Sequence, residues 1–74
     1  MKIPTINMKK TGEQITRLRK KAGISVSELQ EELGFSIPQS IYKWQQGRSL
    51  PTLDNLVILA FLLNVTIDDI LVIE

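Results

Sequence analysis

The chain has 74 residues, of which 43% are hydrophobic and 23% charged, and it contains no cysteine and no histidine. This length suits one small globular domain, and the two missing residue types exclude disulfide frameworks, the usual zinc sites and most acid–base catalysis. The longest apolar run, Leu56 to Leu63, is far shorter than the roughly 20 residues that a membrane-spanning helix needs, and no signal peptide opens the chain. We therefore expect a soluble protein of the cytoplasm, with no metal site and no membrane partner.

Charge is distributed unevenly along the chain. Seven basic residues and one acidic residue give residues 1–24 a net charge of +6, whereas two basic and seven acidic residues give residues 25–74 a net charge of −5. A basic segment is typical either of a solvated helix or of a patch that meets a polyanion. The position of the basic residues in the fold decides between these interpretations.

Capping residues and apolar periodicity predict where the first helix lies. Thr11 to Gln14 has the spacing of a capping box, and Gly23 offers a left-handed stop, which together predict a helix over residues 12–22. Residues 1–10 show no periodicity, so we expect them to form a flexible N-terminal arm.

Four further helices are predicted in the same way. A capping box at Ser25 indicates a helix over residues 26–33, and Pro38 suits the first turn of a third helix over residues 38–46. Two more helices follow, one over residues 53–63 and a short one that Thr66 caps. Residues 11–74 are thus expected to form one all-α, five-helix domain.

Particular residues along these helices have the spacing of a known family. They are Arg17-Leu18-Arg19-Lys20, Gly23-Ile24-Ser25, Glu28-Leu29, Leu33-Gly34, Ile41, Trp44, Gly47, Pro51, Leu56, Leu59, Ala60, Leu63 and Val65 to Leu71. In these residues the chain resembles the Cro/C1-type (XRE) helix-turn-helix regulators. The resemblance implies a lambda-repressor-like fold that binds a double-stranded DNA operator with its third helix in the major groove, without a cofactor.

The chain departs from the usual family pattern at four places. One extra residue lies between Gly34 and Trp44, which makes the turn into the third helix longer. Val26 and Gln30 stand where the family often has Gln and Ala, and Gln45 stands where it often has Glu. The contact that the family makes to phosphate near the start of the second helix is therefore not expected from Val26.

One of these departures concerns a pair of inward-facing polar residues. Arg19 lies on the inner arc of the first helix and Gln45 on the inner arc of the third, so each needs a partner inside the fold. In the resembling proteins this Arg pairs with a Glu. We interpret the pair as structural, with the neutral amide compensating the Arg charge less well than a carboxylate.

The outer face of the third helix carries the predicted readout. Opposite Ile41 lie glutamine and lysine side chains, which are also good helix formers, so a plain solvated face is the simpler interpretation. Glutamine can bond adenine and lysine can bond guanine, however, and together with the resemblance this favours base readout. The predicted base-reading residues are Gln39, Ser40 and Lys43. The residues predicted to contact or flank phosphate are Tyr42, Gln46, Arg48 and Ser49.

The fourth helix is apolar at almost every angle and predicts an interface. Its core-facing arc is predicted to hold Leu53, Leu56, Val57, Leu59, Ala60 and Leu63. The residues predicted to form a homodimer patch on its far side and in the tail are Ile58, Phe61, Leu62, Val72 and Ile73. The alternative is that the N-terminal arm folds back over this patch.

The predicted function is sequence-specific DNA binding as a transcriptional regulator, most simply a repressor. The alternative is a protein-interaction module of antitoxin or anti-repressor type, which uses the same fold and its apolar surface to hold a protein partner. The near-neutral net charge leaves this alternative open. An enzyme is not expected, because Asp68 and Asp69 are better explained as partners of a helix N-terminus than as an acid–base pair.

Overall fold

A computed structural model describes all 74 residues and shows the predicted all-α fold of five helices. The helices are α1 (Met8–Ala22), α2 (Val26–Leu33), α3 (Gln39–Gln45), α4 (Leu53–Leu63) and α5 (Ile67–Ile70). The bounds of α2 and α4 match the prediction, and Pro38 is the residue before α3 rather than its first residue. None of the five helices has both the length and the apolar composition to cross a bilayer.

Capping boxes define the starts of α2 and α5. The Ser25 hydroxyl accepts from the Glu28 N–H at 3.0 Å, and the Glu28 carboxylate accepts from the Ser25 N–H at 3.1 Å. Thr66 and Asp69 make the same reciprocal pair at the start of α5. The N–H and the hydroxyl of Thr66 hold the pKa of the Asp69 carboxyl below its ordinary value. Asp69 is therefore a capping residue, as the sequence indicates.

Every helix contributes to one buried hydrophobic cluster. Its members are Ile15, Leu18, Leu29, Ile41, Trp44, Leu56, Leu59, Ala60, Leu63 and Ile70. Trp44 lies inside this cluster, where the Phe35 ring meets it edge-to-face with ring centroids 5.8 Å apart. The inner side of α3 is thus fixed by Ile41 and Trp44, which leaves its outer side to solvent.

The first helix begins four residues earlier than the sequence indicates. Asn7 is the capping residue, and its side-chain oxygen accepts from the Lys10 N–H at 2.9 Å. The residues that resemble a capping box have other partners. Thr11 is buried and its hydroxyl accepts from the Val72 N–H at 3.0 Å, while the Gln14 side chain donates to the Asp69 carbonyl at 2.8 Å.

The N-terminal segment is paired with the C-terminal segment, which corrects the expectation of a flexible arm through residue 10. Thr5 and Glu74 exchange two backbone hydrogen bonds of 3.0 and 2.9 Å, and the Asn7 N–H donates to the Val72 carbonyl at 2.8 Å. These bonds form an antiparallel bridge of residues 5–7 with residues 72–74. The arm differs from the expectation because its backbone groups have partners at the opposite end of the chain.

The first and third helices cross at a glycine. A Cβ added to Gly12, in the second turn of α1, would collide with the backbone carbonyl oxygens of Trp44 and Gln45. Only a residue without a side chain lets the two backbones approach this closely. Gly12 therefore determines how α1 lies across the end of α3.

The predicted pairing of Arg19 with Gln45 is confirmed. The Arg19 Nε donates to the Gln45 side-chain oxygen at 2.9 Å, and one Arg19 Nη donates to the Ile24 carbonyl at 2.9 Å. The guanidinium thus joins α1 to α3 and to the start of the α1–α2 connection. Its positive charge meets two neutral acceptors and no carboxylate.

Replacing Gln45 with glutamate should stabilise this junction. A carboxylate would give the half-buried Arg19 charge an opposite partner, so Gln45→Glu should raise the free energy of unfolding by about 0.5 to 1 kcal/mol at neutral pH. Chemical denaturation measures the change. In an Arg19→Met background the same substitution should give no gain, because the charge that it pairs with is gone. A gain of equal size in both backgrounds would show that the pair is not its cause.

Candidate nucleic-acid interface

The connection from α2 to α3 is held in one conformation. The Phe35 N–H donates to the Gln30 carbonyl at 3.0 Å, and the Gln30 side-chain amide donates back to the Phe35 carbonyl at 3.3 Å. Gln30 is one of the departures from the family pattern, and here it fastens the turn that is one residue longer than usual. The Phe35 ring also packs edge-to-face against Trp44, which anchors the same turn to the core.

The outer face of α3 is polar and free of internal partners. Gln39 and Lys43 are exposed opposite the buried Ile41 and lie one helical turn apart, and Ser40 is exposed on the flank beside them. None of these three side chains makes a hydrogen bond or an ion pair with the rest of the protein. Their donors and acceptors are therefore available to a ligand.

The predicted phosphate-contacting residues lie beside this face. Tyr42 and Gln46 are exposed on the flank and at the end of α3, Arg48 is exposed in the following loop, and Ser49 is half-buried. The backbone N–H of Arg48 donates to the Lys43 carbonyl at 2.9 Å, which fixes the loop to the helix.

A basic residue of α1, Lys9, also lies beside this face, although the sequence analysis assigns it to a flexible arm. Gly47 has a φ of 73°, and a Cβ there would lie 2.6 Å from the Lys9 Cα. Lys9, which is exposed in the first turn of α1, therefore lies beside the loop that carries Arg48. Lys9 is helical because Asn7 caps α1. From the sequence alone, Asn7 and Thr11 are equally good capping residues.

The acidic residues of α2 lie on another side of the molecule. Three exposed carboxylates of α2 line a shallow depression together with Ile24, which precedes α2, and with Leu62 of α4. They are Glu28, Glu31 and Glu32. These carboxylates therefore lie on the side of the molecule where α2 meets α4. The free face of α3 consequently carries no carboxylate.

The apolar surface of α4 differs from the prediction. Leu53 is 78% exposed and Val57 58% exposed, although both are expected to face the core, and Leu62 is half-buried against the core. The helix is rotated so that the side running through Leu59 and Leu63 is the packed one. Because almost every residue of α4 is apolar, its composition does not define the rotation.

We define the apolar face of α4 by its exposed hydrophobic residues, which follow each other along one side of the helix. They are Leu53, Val57, Ile58 and Phe61, and Phe61 is 80% exposed. Of the two predicted tail members, Ile73 is exposed and Val72 half-buried. The N-terminal segment pairs with residues 72–74 and leaves Phe61 uncovered.

Comparisons with known proteins agree with this geometry. The sequence model of a helix-turn-helix family matches residues 15–70. The chain therefore belongs to this family, in its Cro/C1 (XRE) type. It is a DNA-binding transcription regulator rather than an enzyme.

Two solved structures have a similar fold. The restriction-modification controller protein C.AhdI from Aeromonas hydrophila is 22% identical with a TM-score of 0.74, over 85% of this chain and 94% of that chain. The DNA-binding domain of BldD is 19% identical with a TM-score of 0.73, over 89% of this chain and 94% of that chain. No curated protein sequence matches the chain.

Proposed function

We propose that the protein is a repressor that binds a specific DNA operator as a homodimer in the cytoplasm, with α3 in the major groove. The observation that carries the proposal is the division of α3 into two sides. Ile41 and Trp44 hold the inner side in the core, while the outer side presents polar groups without internal partners. A helix with this division can enter a groove without disturbing the fold.

The side chains of the outer face have the chemistry of base recognition. Gln39 can accept and donate at once to adenine, Lys43 can donate to guanine, and Ser40 can bond either kind of base edge. Gln39 lies at the start of α3, the part of a recognition helix that contacts bases, and Lys43 lies one turn later on the same side.

In this proposal, contacts to the DNA sugar-phosphate backbone come from the end of α3 and the loop that follows it. Arg48 is the principal phosphate contact in this proposal, with Gln46, Ser49 and Tyr42 around it. Lys9 adds a second positive charge next to the loop. These groups orient the protein on the duplex without reading its sequence.

A second copy on the apolar face of α4 supplies the other half of the operator contact. α3 has seven residues and can read only a few base pairs by itself. A two-fold dimer would bury the large exposed residues against themselves and hold two copies of α3 about 34 Å apart, one turn of B-DNA. The exposure of Leu53 and Val57 extends this face toward the start of α4, while Leu62 packs against the core.

Selection of bound duplexes from a random pool tests the function. An enriched palindrome would establish operator binding and the spacing of its half-sites together. Absence of enrichment at moderate salt would reject the proposal and favour the protein-interaction module, in which the apolar face of α4 holds another protein.

Removing a base-reading side chain should change sequence preference. Gln39→Ala and Lys43→Ala should each weaken binding to the best site by about 1 to 3 kcal/mol and relax the preference at one or two base pairs. Competition binding against single-base variants of the operator measures both effects. An unchanged preference with Gln39→Ala would show that this face does not read bases.

Removing Arg48 should act on every sequence alike. Arg48→Ala should lower affinity for specific and random duplexes by the same factor, and reduce the slope of log affinity against log salt by about 0.9, the value for one phosphate. Salt titrations by fluorescence anisotropy measure the slope. Lys21→Ala is the control for loss of one charge, since Lys21 lies at the far end of α1 beside Leu62 and Leu63. An equal change in both variants would contradict a specific phosphate contact.

A charge on the apolar face of α4 should dissociate the dimer. Phe61→Glu would place a carboxylate at the centre of the buried interface, so the variant should sediment as a folded monomer and lose operator affinity. Ile3→Glu is the matched control, because Ile3 is similarly exposed, at 75%, but lies outside the face. An unchanged mass and affinity for Phe61→Glu would remove this face as the interface.

A further inference from the structure

An apolar side chain stands next to the readout face, in the turn that leads into α3. Ile37 is 59% exposed, and it lies two residues before Gln39. Exposed turn positions usually hold glycine, proline, asparagine, aspartate or serine. A single exposed aliphatic residue needs no explanation on an ordinary surface. Ile37, however, breaks the residue preference of its turn beside the proposed readout face, and residues that break a local rule are often functional.

The turn presents Ile37 in a fixed position. On one side, Phe35 is held by its two hydrogen bonds with Gln30 and by the Trp44 ring. On the other side, Pro38 is half-buried and has a restricted φ as it leads into α3. Because the backbone is already ordered, Ile37 can contact a ligand without the entropy loss of ordering a loop.

We propose that Ile37 determines specificity by packing against the 5-methyl group of a thymine, next to the base that Gln39 contacts. This inference rests on the proposed operator binding. The thymine methyl is the apolar group that base edges present in the major groove, whereas the other groups there are hydrogen-bond donors and acceptors. Ile37 would cover those polar groups without bonding them, so it selects against cytosine and guanine as well as for thymine.

Replacing thymine with uracil tests the contact, because it removes the methyl group and nothing else. Each thymine of the selected duplex is changed to uracil in turn, and affinity is measured for the wild type and for Ile37→Ala. The wild type should bind about fourfold less tightly at one position in each half-site, the value of burying one methyl group. Ile37→Ala should bind the thymine and uracil forms of that position equally.

Two controls separate this result from loss of folding and from failure of operator binding. Thermal melting should show Ile37→Ala folded like the wild type, and Ile3→Ala should keep the full uracil penalty. A selected half-site without thymine, a wild type indifferent to every uracil, or an equal penalty in Ile37→Ala would each overturn the inference while operator binding stands. A random pool that yields no enriched duplex would instead reject the proposed function, and the inference with it.

Discussion

The close crossing of α1 and α3 at Gly12 is the contact on which the rest of the structure depends. α3 has seven residues, too few for a helix to be stable on its own in water, so neighbouring elements must hold it. Gly12 lets the α1 backbone rest on the last carbonyls of α3, and Arg19 ties the same two helices through Gln45. A short helix held from one side in this way is a rigid platform whose other side is free.

Local signals are sufficient where a residue has one possible role. The bounds of α2 follow from one capping box and one glycine, and the sides of α3 follow from Ile41 and Trp44, which are strongly apolar among polar neighbours. The predicted readout residues are therefore found together on one exposed face. The pairing of Arg19 with Gln45 could be predicted because both lie on the inner arcs of their helices, where polar groups need hydrogen-bond partners.

Local signals fail where a residue has two roles that only the tertiary structure separates. Asn7 and Thr11 are both good capping residues, and Asn7 caps α1 because the Thr11 hydroxyl is bonded by the Val72 N–H. The rotation of α4 is likewise decided by α1 and α5, since its own sequence is apolar all around. Ile37 lies in a turn, where exposure has no periodicity that a sequence can show.

The bridge between residues 5–7 and residues 72–74 makes the chain a closed ring in space. In the unfolded protein, joining Thr5 to Glu74 means closing a loop of almost the whole chain. The entropic free-energy cost of closing it is about 2 kcal/mol higher than for a ten-residue loop. The helices that bring the two ends together must therefore dock first, and the bridge forms late in folding. Its backbone amides would accordingly report when the domain has finished assembling, a step that the formation of any single helix does not reveal.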